Sequence, residues 1–199
     1  MSTAAAPVRP GAVLADVLPA STAARARLRD VALVLGGAAL TGVAAQIAVP
    51  VPGSPVPVTG QTFAALLIGA GLGAQRALLS LGLYVAAGVA GMPWFAEMKH
   101  GVGMPSFGYL LGMLLAAVLV GALARRGGDR GLLRTAGTMA AGTAVIYAVG
   151  VPYLALATGM TFGQAVAAGL VPFLIGDALK VALAMGALPT AWRLVGRRD

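Results

Sequence analysis

The chain alternates long apolar runs with short polar segments that are rich in arginine, glycine or proline. A membrane-spanning helix needs about 20 apolar residues to cross the hydrocarbon core of a bilayer. The pattern therefore predicts an all-α integral membrane protein, a bundle of six transmembrane helices, in which the second and third spans are short. The apolar runs cover residues 31–49, 62–74, 77–91, 108–124, 133–157 and 165–192.

The polar segments define the expected organisation of the chain. Residues 1–30 contain three prolines and several arginines, which predicts a basic cytoplasmic arm ahead of the first span. Residues 31–192 form the transmembrane domain, and residues 193–199 form a basic tail. A tight turn at Gln75 and Arg76 is expected to join the second and third spans.

Composition supports the membrane assignment. Of the 199 residues, 59% are hydrophobic and only 10% are charged, and the mean hydropathy is +0.89. A soluble domain carries about 25% charged residues. The 29 glycines suit helices that approach each other closely in lipid, where small residues supply the packing that the hydrophobic effect cannot.

The net charge of +8 could suggest binding to nucleic acid, but the basic residues flank the apolar runs instead of forming one phosphate-binding face. In a six-span arrangement nearly all of them fall on one side of the membrane, which the positive-inside rule assigns to the cytoplasm, together with both termini. They are Arg9, Arg25, Arg27, Arg29, Arg76, Arg125, Arg126, Arg130, Arg134, Arg193, Arg197 and Arg198.

Side-chain chemistry argues against an enzyme. The chain has no cysteine and a single histidine, so thiolate metal sites, two-histidine metal sites and cysteine nucleophiles are excluded. It also lacks the Gly-x-x-x-x-Gly-Lys-Ser/Thr motif of a P-loop, so it does not hydrolyse ATP through such a loop. We expect no cofactor and no bound metal.

One pair of opposite charges, Asp177 and Lys180, interrupts the last apolar run. Each charge costs about 2.5–3.5 kcal/mol at the centre of a membrane helix, and the i,i+3 spacing places both on one helix face. Three interpretations remain open. The pair forms the polar end of a substrate cavity, or Asp177 titrates in a proton- or ion-coupled transporter, or the pair is a structural ion pair in a non-transport scaffold.

Two loops on the side opposite the arginines are candidates for contact with a small molecule. The first, residues 50–62, has four prolines within eight residues, so we expect a stiff cap over a cavity, with Thr59 and Gln61 near its hinge and a sharp turn at Gly60. The second, residues 91–109, is rich in aromatic residues. Trp94, Phe107 and Tyr109 either wall an apolar pocket or lie at the membrane interface.

Three motifs carry a resemblance to a known family. They are Pro-Val-Pro-Val-Thr-Gly-Gln-Thr-Phe at 55–63, Pro-Ser-Phe-Gly-Tyr-Leu-Leu-Gly at 105–112, and Gly-Asp-Ala-Leu-Lys at 176–180. Together they resemble BioY, the biotin-binding S component of energy-coupling-factor transporters, over about residues 31–192. The resemblance implies a bacterial or archaeal plasma-membrane protein that binds biotin near the external face, beneath the loop after the first helix.

The resemblance also implies the roles of individual residues. Asp177 and Lys180 correspond to an acid and a lysine that contact the vitamin. An amide side chain in the loop before the fourth helix commonly contacts the ligand in relatives, but this chain contains no asparagine, and Lys99 or a backbone group is expected to replace it. Ser106 and Phe107 stand where relatives usually have a Thr-Gly pair.

The expected protein partners are a transmembrane coupling subunit and an ATPase pair. In the family a small-residue surface on the first helix contacts the coupling subunit. Ala32, Gly36 and Leu40 form one such stripe here, and Gly37, Thr41 and Ala45 form a neighbouring one. Ala32, Gly36 and Gly37 are therefore candidate partner contacts, and the alternative is that these residues pack inside the bundle.

Overall fold

The computed structural model describes residues 11–196, and within that range seven α-helices and one short β-hairpin assemble into a single bundle. One-turn 3₁₀ helices lie at Leu14–Val17, Ala96–Met98 and Val171–Phe173. The main elements are α1 (Ala23–Ala45), β1 (Ala48–Val49), β2 (Val58–Thr59), α2 (Gln61–Leu72), α3 (Ala74–Val89), α4 (Phe107–Arg125), α5 (Leu132–Thr158), α6 (Phe162–Gly169) and α7 (Leu174–Gly196).

The helices confirm the prediction of an all-α membrane protein with six transmembrane segments. Helices α1, α4 and α5 are long and apolar enough to cross a bilayer, and so is the stretch Phe162–Val195, which comprises α6 and most of α7. Helices α2 and α3 are apolar but shorter, with 12 and 16 residues. The two spans that are short in sequence are thus short in the structure as well.

Helix α4 is the centre of the bundle and packs against α2, α3 and α5. The close approach of these helices depends on glycine. A Cβ atom at Gly69 of α2 would lie 2.5 Å from the carbonyl oxygen of Ala117 in α4, and one at Gly112 of α4 would lie 2.8 Å from the carbonyl oxygen of Ile146 in α5. Lipid is as apolar as the helix side chains, so the hydrophobic effect does not drive helices together in a bilayer. Close van der Waals packing of the kind that these glycines allow stabilises their association instead.

The turn between the second and third spans differs from the prediction. Helix α2 ends at Leu72 and α3 begins at Ala74, so Gln75 and Arg76 lie in the first turn of α3 and do not form the connection. Gly73 joins the two helices with φ 81°, a backbone conformation that a glycine adopts without steric cost. The prediction placed the turn at the polar residues of this segment. The connection lies at Gly73 because it needs a positive φ, which favours glycine.

The last apolar run is interrupted. It begins as the short helix α6, turns through Val171–Phe173, and continues as α7. Pro172 explains the interruption, because proline lacks the N–H that a helix interior needs and disfavours helical geometry in the residue before it. The run predicted as one helix over 165–192 is therefore two helices, with a break shortly before the motif at 176–180.

The N-terminal segment also differs from the prediction of an arm through residue 30. Helix α1 begins at Ala23, where the side chain of Thr22 caps it by accepting a hydrogen bond from the backbone N–H of Arg25 (3.2 Å). Val13 and Ala15 are buried against the bundle. The part of the predicted arm within residues 1–10 lies outside the described residues.

Arginines from several segments meet at one end of the bundle, as the six-span charge pattern requires. Asp16 accepts a hydrogen bond from Arg76 (2.8 Å) and lies 3.5 Å from Arg125, and Arg130 donates to the backbone oxygen of Ala12 (3.1 Å). Burial by itself favours the protonated form of Asp16, but the Arg76 guanidinium outweighs it and holds the pKa of the Asp16 carboxyl below its ordinary value. These contacts tie residues 11–18 to the ends of α3 and α4.

The packing of Gly69 generates a stability prediction. Gly69→Ala should lower the free energy of unfolding by about 1–3 kcal/mol, because the added methyl group collides with the α4 backbone. The matched control is Gly71→Ala in the same helix, where a Cβ has no neighbour within 4 Å. That change should be neutral or stabilising by up to about 1 kcal/mol, since alanine favours helix. Thermal unfolding of the detergent-purified variants compares them, and equal effects would contradict the packing account.

Candidate ligand-binding site

A cavity lies at the end of the bundle opposite the arginines, beneath the hairpin. Its walls come from the hairpin, the start of α2, the middle of α5 and the first half of α7. The cavity is narrow, with a volume of about 40 Å³. It is lined by Val56, Pro57, Thr59, Gln61, Thr62, Phe63, Leu66, Ala96, Ser106, Tyr109, Met139, Thr143, Ile146, Tyr147, Phe173, Asp177, Lys180 and Val181.

The charged pair of α7 forms the polar part of this cavity. The ammonium Nζ of Lys180 lies 3.1 Å from Oδ1 of Asp177, and both side chains are mostly buried, with 17% and 13% of their surfaces exposed. The two residues are one helical turn apart, so both project from the same face of α7. A carboxylate and an ammonium in contact at the wall of an apolar cavity offer a ligand both a hydrogen-bond acceptor and a donor.

Two neighbouring helices hold the pair in place. Tyr147 of α5 donates its hydroxyl hydrogen to Oδ2 of Asp177, and Lys180 donates to the hydroxyl oxygen of Thr62 in α2 (2.7 Å). Each charged group therefore has one partner within the pair and one partner on another helix. Helices α2, α5 and α7 meet at these four side chains, and charged hydrogen bonds are the strong ones in such a setting.

The hairpin covers the cavity. Strands β1 and β2 pair antiparallel, with Ala48 opposite Thr59 and Val49 opposite Val58. Val56 in its tip is buried against the cavity, and a Cβ at Gly176 of α7 would lie 3.7 Å from a methyl carbon of Val58. The proline-rich loop is therefore folded back on itself as a hairpin and contacts the start of α7 beside the charged pair.

Gly60 fits the hinge of this hairpin for a different reason from the one expected. Its φ of −72° is open to any residue, so no unusual turn is needed. A Cβ at this position would lie 2.9 Å from the backbone oxygen of Ala44, and the Gly60 N–H donates to the backbone oxygen of Ile47 (3.0 Å). Close approach to the end of α1, not conformational freedom, excludes a larger residue.

The structure brings five of the eight predicted ligand contacts to the cavity: Asp177, Lys180, Thr59, Gln61 and Tyr109. The buried Gln61 accepts a hydrogen bond from the hydroxyl of Tyr84 (3.0 Å). Tyr109 donates to the backbone oxygen of Gly169 (2.7 Å), which fixes the end of α6 against α4. Both side chains therefore combine a cavity surface with a structural hydrogen bond.

The other three, Trp94, Lys99 and Phe107, do not line the cavity. The Trp94 ring nitrogen donates to the backbone oxygen of Tyr84 (2.9 Å), so this side chain anchors the second loop to α3. Lys99 is half exposed and pairs with Glu97 (2.6 Å). Phe107 packs on Tyr153, with ring centroids 6.1 Å apart. Loop position in the sequence did not reveal which aromatic residues face inward.

Tyr147 and Thr62 were missed by the sequence analysis, although both contact the charged pair. Tyr147 is one of two tyrosines in the fifth apolar run, and Thr62 follows the hinge residues directly. A hydroxyl within an apolar span is a usable signal, because a buried hydroxyl needs a hydrogen-bond partner and charged residues in a neighbouring span can provide it. That signal alone could not choose between Tyr147 and Tyr153.

The first helix presents the two small-residue stripes differently. A Cβ at Gly36 would have no neighbour within 4 Å, and Ala32 is exposed, so these two positions lie open on the surface of the described residues. Gly37 is buried, and a Cβ there would lie 2.6 Å from the hydroxyl oxygen of Ser80 in α3. The expectation that Gly37 contacts a partner is therefore replaced by packing inside the bundle.

No metal site accompanies the cavity in the described part of the chain, where no three histidine, aspartate or glutamate side chains gather closely enough to hold an ion. The polar chemistry of the site rests on one carboxylate, one ammonium, and neighbouring hydroxyl and amide groups. This arrangement can bind a small polar ring that both donates and accepts hydrogen bonds, and it offers apolar contact to the rest of the molecule.

Known proteins resemble the chain over most of its length. The family model described as the BioY family matches residues 19–197. A probable biotin transporter BioY from Pyrococcus horikoshii is 35% identical over 162 residues, which cover 80% of this chain and 93% of the relative. The biotin transporter BioY of Thermotoga maritima is 35% identical over 149 residues, covering 73% and 85% of the two chains.

A solved structure has the same fold. It is described as the S-component for biotin from an ECF-type ABC transporter, and it superposes with a TM-score of 0.77 over 87% of this chain and 95% of the other. The sequence identity is 19%, so the agreement concerns the arrangement of the helices.

Proposed function

The chain belongs to the BioY family, and we propose that it is the biotin-capturing subunit of a membrane importer. Membership in a family of multi-pass transporters makes it a binding and translocation protein, not an enzyme. The relatives named as biotin transporters come from both bacteria and archaea, in keeping with a plasma-membrane protein. The observation that carries the proposal is the Asp177–Lys180 pair on the wall of a hairpin-covered cavity.

The chemistry of biotin matches the pair. Its ureido ring presents two N–H donors and one carbonyl acceptor, so the Asp177 carboxylate can accept from the ring and the Lys180 ammonium can donate to it. The sulfur-containing ring and the aliphatic chain suit the apolar walls formed by Leu66, Ile146 and Val181. Thr59, Gln61 and Tyr109 are the further side chains that we propose contact the vitamin.

Binding requires the cavity to widen. Pockets for ligands of this size usually enclose about 300–1,000 Å³, whereas this cavity has a volume of about 40 Å³. The hairpin is the element best suited to move, because the hydrogen bonds of its tip over residues 50–57 are formed within the tip itself and do not tie it to a helix. We propose that the hairpin opens to admit biotin and closes over it, with the tip residues Val56 and Pro57 against the ligand.

A structural role for the pair is the competing interpretation, and one observation favours it. Tyr147 and Thr62 already give each charge a second partner, so the pair is satisfied by protein groups. A purely structural pair has a clear energetic signature. Removal of one charge leaves the other buried and unpaired, which costs about 3–5 kcal/mol, and removal of both restores much of the loss.

Three variants separate these interpretations. Asp177→Asn and Lys180→Met should each weaken biotin binding by roughly tenfold to more than a hundredfold, because a hydrogen bond to a charged group contributes about 1.5–3 kcal/mol. The double variant should bind no better than either single variant. Titration with labelled biotin and thermal unfolding are measured on the same detergent-purified samples.

A structural pair gives the opposite result. Both single variants would lose stability, and the double variant would recover it while binding follows the fraction of folded protein. Retained biotin affinity in a folded double variant would overturn the assignment of the pair to the ligand.

We further propose that the arginine-rich end of the bundle faces the cytoplasm and that a transmembrane coupling subunit contacts α1. The positive-inside rule supports the orientation. The exposed small residues Ala32 and Gly36 support the contact, because they leave a shallow groove on α1 into which another helix fits. An ATPase pair acting through the coupling subunit would then supply the energy.

Gly36→Leu tests the partner surface. It should abolish biotin uptake in cells that contain the coupling subunit and ATPases, and it should leave biotin binding by the purified subunit nearly unchanged. Gly186→Leu on α7 is the matched control, since a Cβ there also has no neighbour within 4 Å, and it should preserve both activities. Normal uptake by the Gly36→Leu variant would remove α1 from the proposed interface.

A further inference from the structure

A second, larger concavity lies beside the ligand cavity, between α5 on one side and α6 with α7 on the other. Its volume is about 640 Å³. The one-turn 3₁₀ helix at Val171–Phe173, which separates α6 from α7, lies beside it, since Leu170 and Leu174 both line the groove. This groove is lined by Ala140, Thr143, Ala144, Tyr147, Ala148, Val151, Pro152, Phe162, Val166, Leu170, Leu174, Asp177, Ala178 and Val181.

The groove runs along α5 at the depth of the membrane interior. Its α5 lining extends from Ala140 to Pro152, which at 1.5 Å per residue corresponds to about 18 Å. Helix α5 continues beyond both ends, over Leu132–Thr158, so the groove occupies the central part of a span. The hydrocarbon core is about 30 Å thick, so a groove about 18 Å long at the centre of a span lies among the acyl chains of the lipid and away from the headgroups.

Water is a poor occupant of this groove. Most lining side chains are apolar, and the polar ones are Thr143, Tyr147 and Asp177. Tyr147 and Asp177 are hydrogen-bonded to each other, which leaves few groups for the two to four partners that an ordered water needs. Large apolar side chains, among them Leu156 and Ile175, are exposed on the same helices, so the surrounding surface faces lipid.

A helix of the coupling subunit proposed above is not the occupant of this groove, because that subunit contacts α1 and no residue of α1 lines the groove. An acyl chain is thin and flexible, and it contacts the apolar lining without bringing polar groups of its own.

We propose that this groove is a binding site for an acyl chain of a membrane phospholipid. The acyl chain lies along α5 between Ala140 and Pro152, beside the 3₁₀ helix that separates α6 from α7. Thr143, Tyr147, Asp177 and Val181 line both the groove and the ligand cavity. The acyl chain therefore contacts, from the lipid side, the same side chains that line the ligand cavity, and it stabilises the packing of α7 against α5 at that point.

The site is tested with a phospholipid that carries a photoreactive diazirine near the end of one acyl chain. The full chain is reconstituted into nanodiscs with this lipid, irradiated and digested, and the labelled peptides are identified by mass spectrometry. Label should concentrate in residues 140–152 and 162–181, severalfold above the exposed face of α1. The experiment needs no biotin, so its outcome is independent of the proposed transport function.

Variants that fill the groove provide the control. Ala148→Phe and Ala144→Phe place a ring in the groove and should reduce its labelling severalfold. Ala187→Phe adds the same ring on an exposed part of α7 that lies more than one turn beyond Val181, outside the groove, and should leave the labelling unchanged. Thermal unfolding identifies any variant that does not fold, and either groove variant suffices. Uniform labelling of all lipid-facing helices, or groove labelling that survives both substitutions, would overturn the proposal.

Discussion

The structure depends on the placement of two opposite charges inside an apolar helix. A single charge at mid-membrane costs about 2.5–3.5 kcal/mol on insertion scales, so Asp177 and Lys180 are tolerated only with well-placed partners. Those partners are each other, Tyr147 on α5 and Thr62 on α2. The need to satisfy the pair therefore draws three helices together, and the cavity lies where they meet.

Small residues make this meeting possible. Gly69 and Gly112 allow α4 to touch the backbones of α2 and α5, which fixes the distance between the two helices that supply Thr62 and Tyr147. The hairpin is positioned by the same principle, since Gly60 lies directly against the end of α1. Backbone contact thus sets the geometry, and it places at the cavity polar groups that can both donate and accept hydrogen bonds.

Hydrophobic runs and arginine positions were enough to predict the helical spans and the clustering of charge at one end, because both follow from the thickness and polarity of the bilayer. The Asp177–Lys180 pair was identified because each charge is energetically costly inside an apolar span and therefore needs a reason to be there. The break at Pro172 and the turn at Gly73 were missed, although each has a backbone cause visible in the sequence. Side-chain direction was not predictable. Trp94 turns toward α3, and Tyr147 reaches α7, because of packing between helices distant in sequence.

We propose that the charged pair holds the ureido ring of biotin, and infrared difference spectroscopy tests this contact most directly. Biotin labelled with ¹³C at the ureido carbonyl gives a separate stretching band in the free and bound forms. A hydrogen bond from the Lys180 ammonium is stronger than one from water, so the band should move to lower frequency on binding and return toward the free value in Lys180→Met. An identical carbonyl band in the wild-type complex, the variant complex and free biotin would contradict the account.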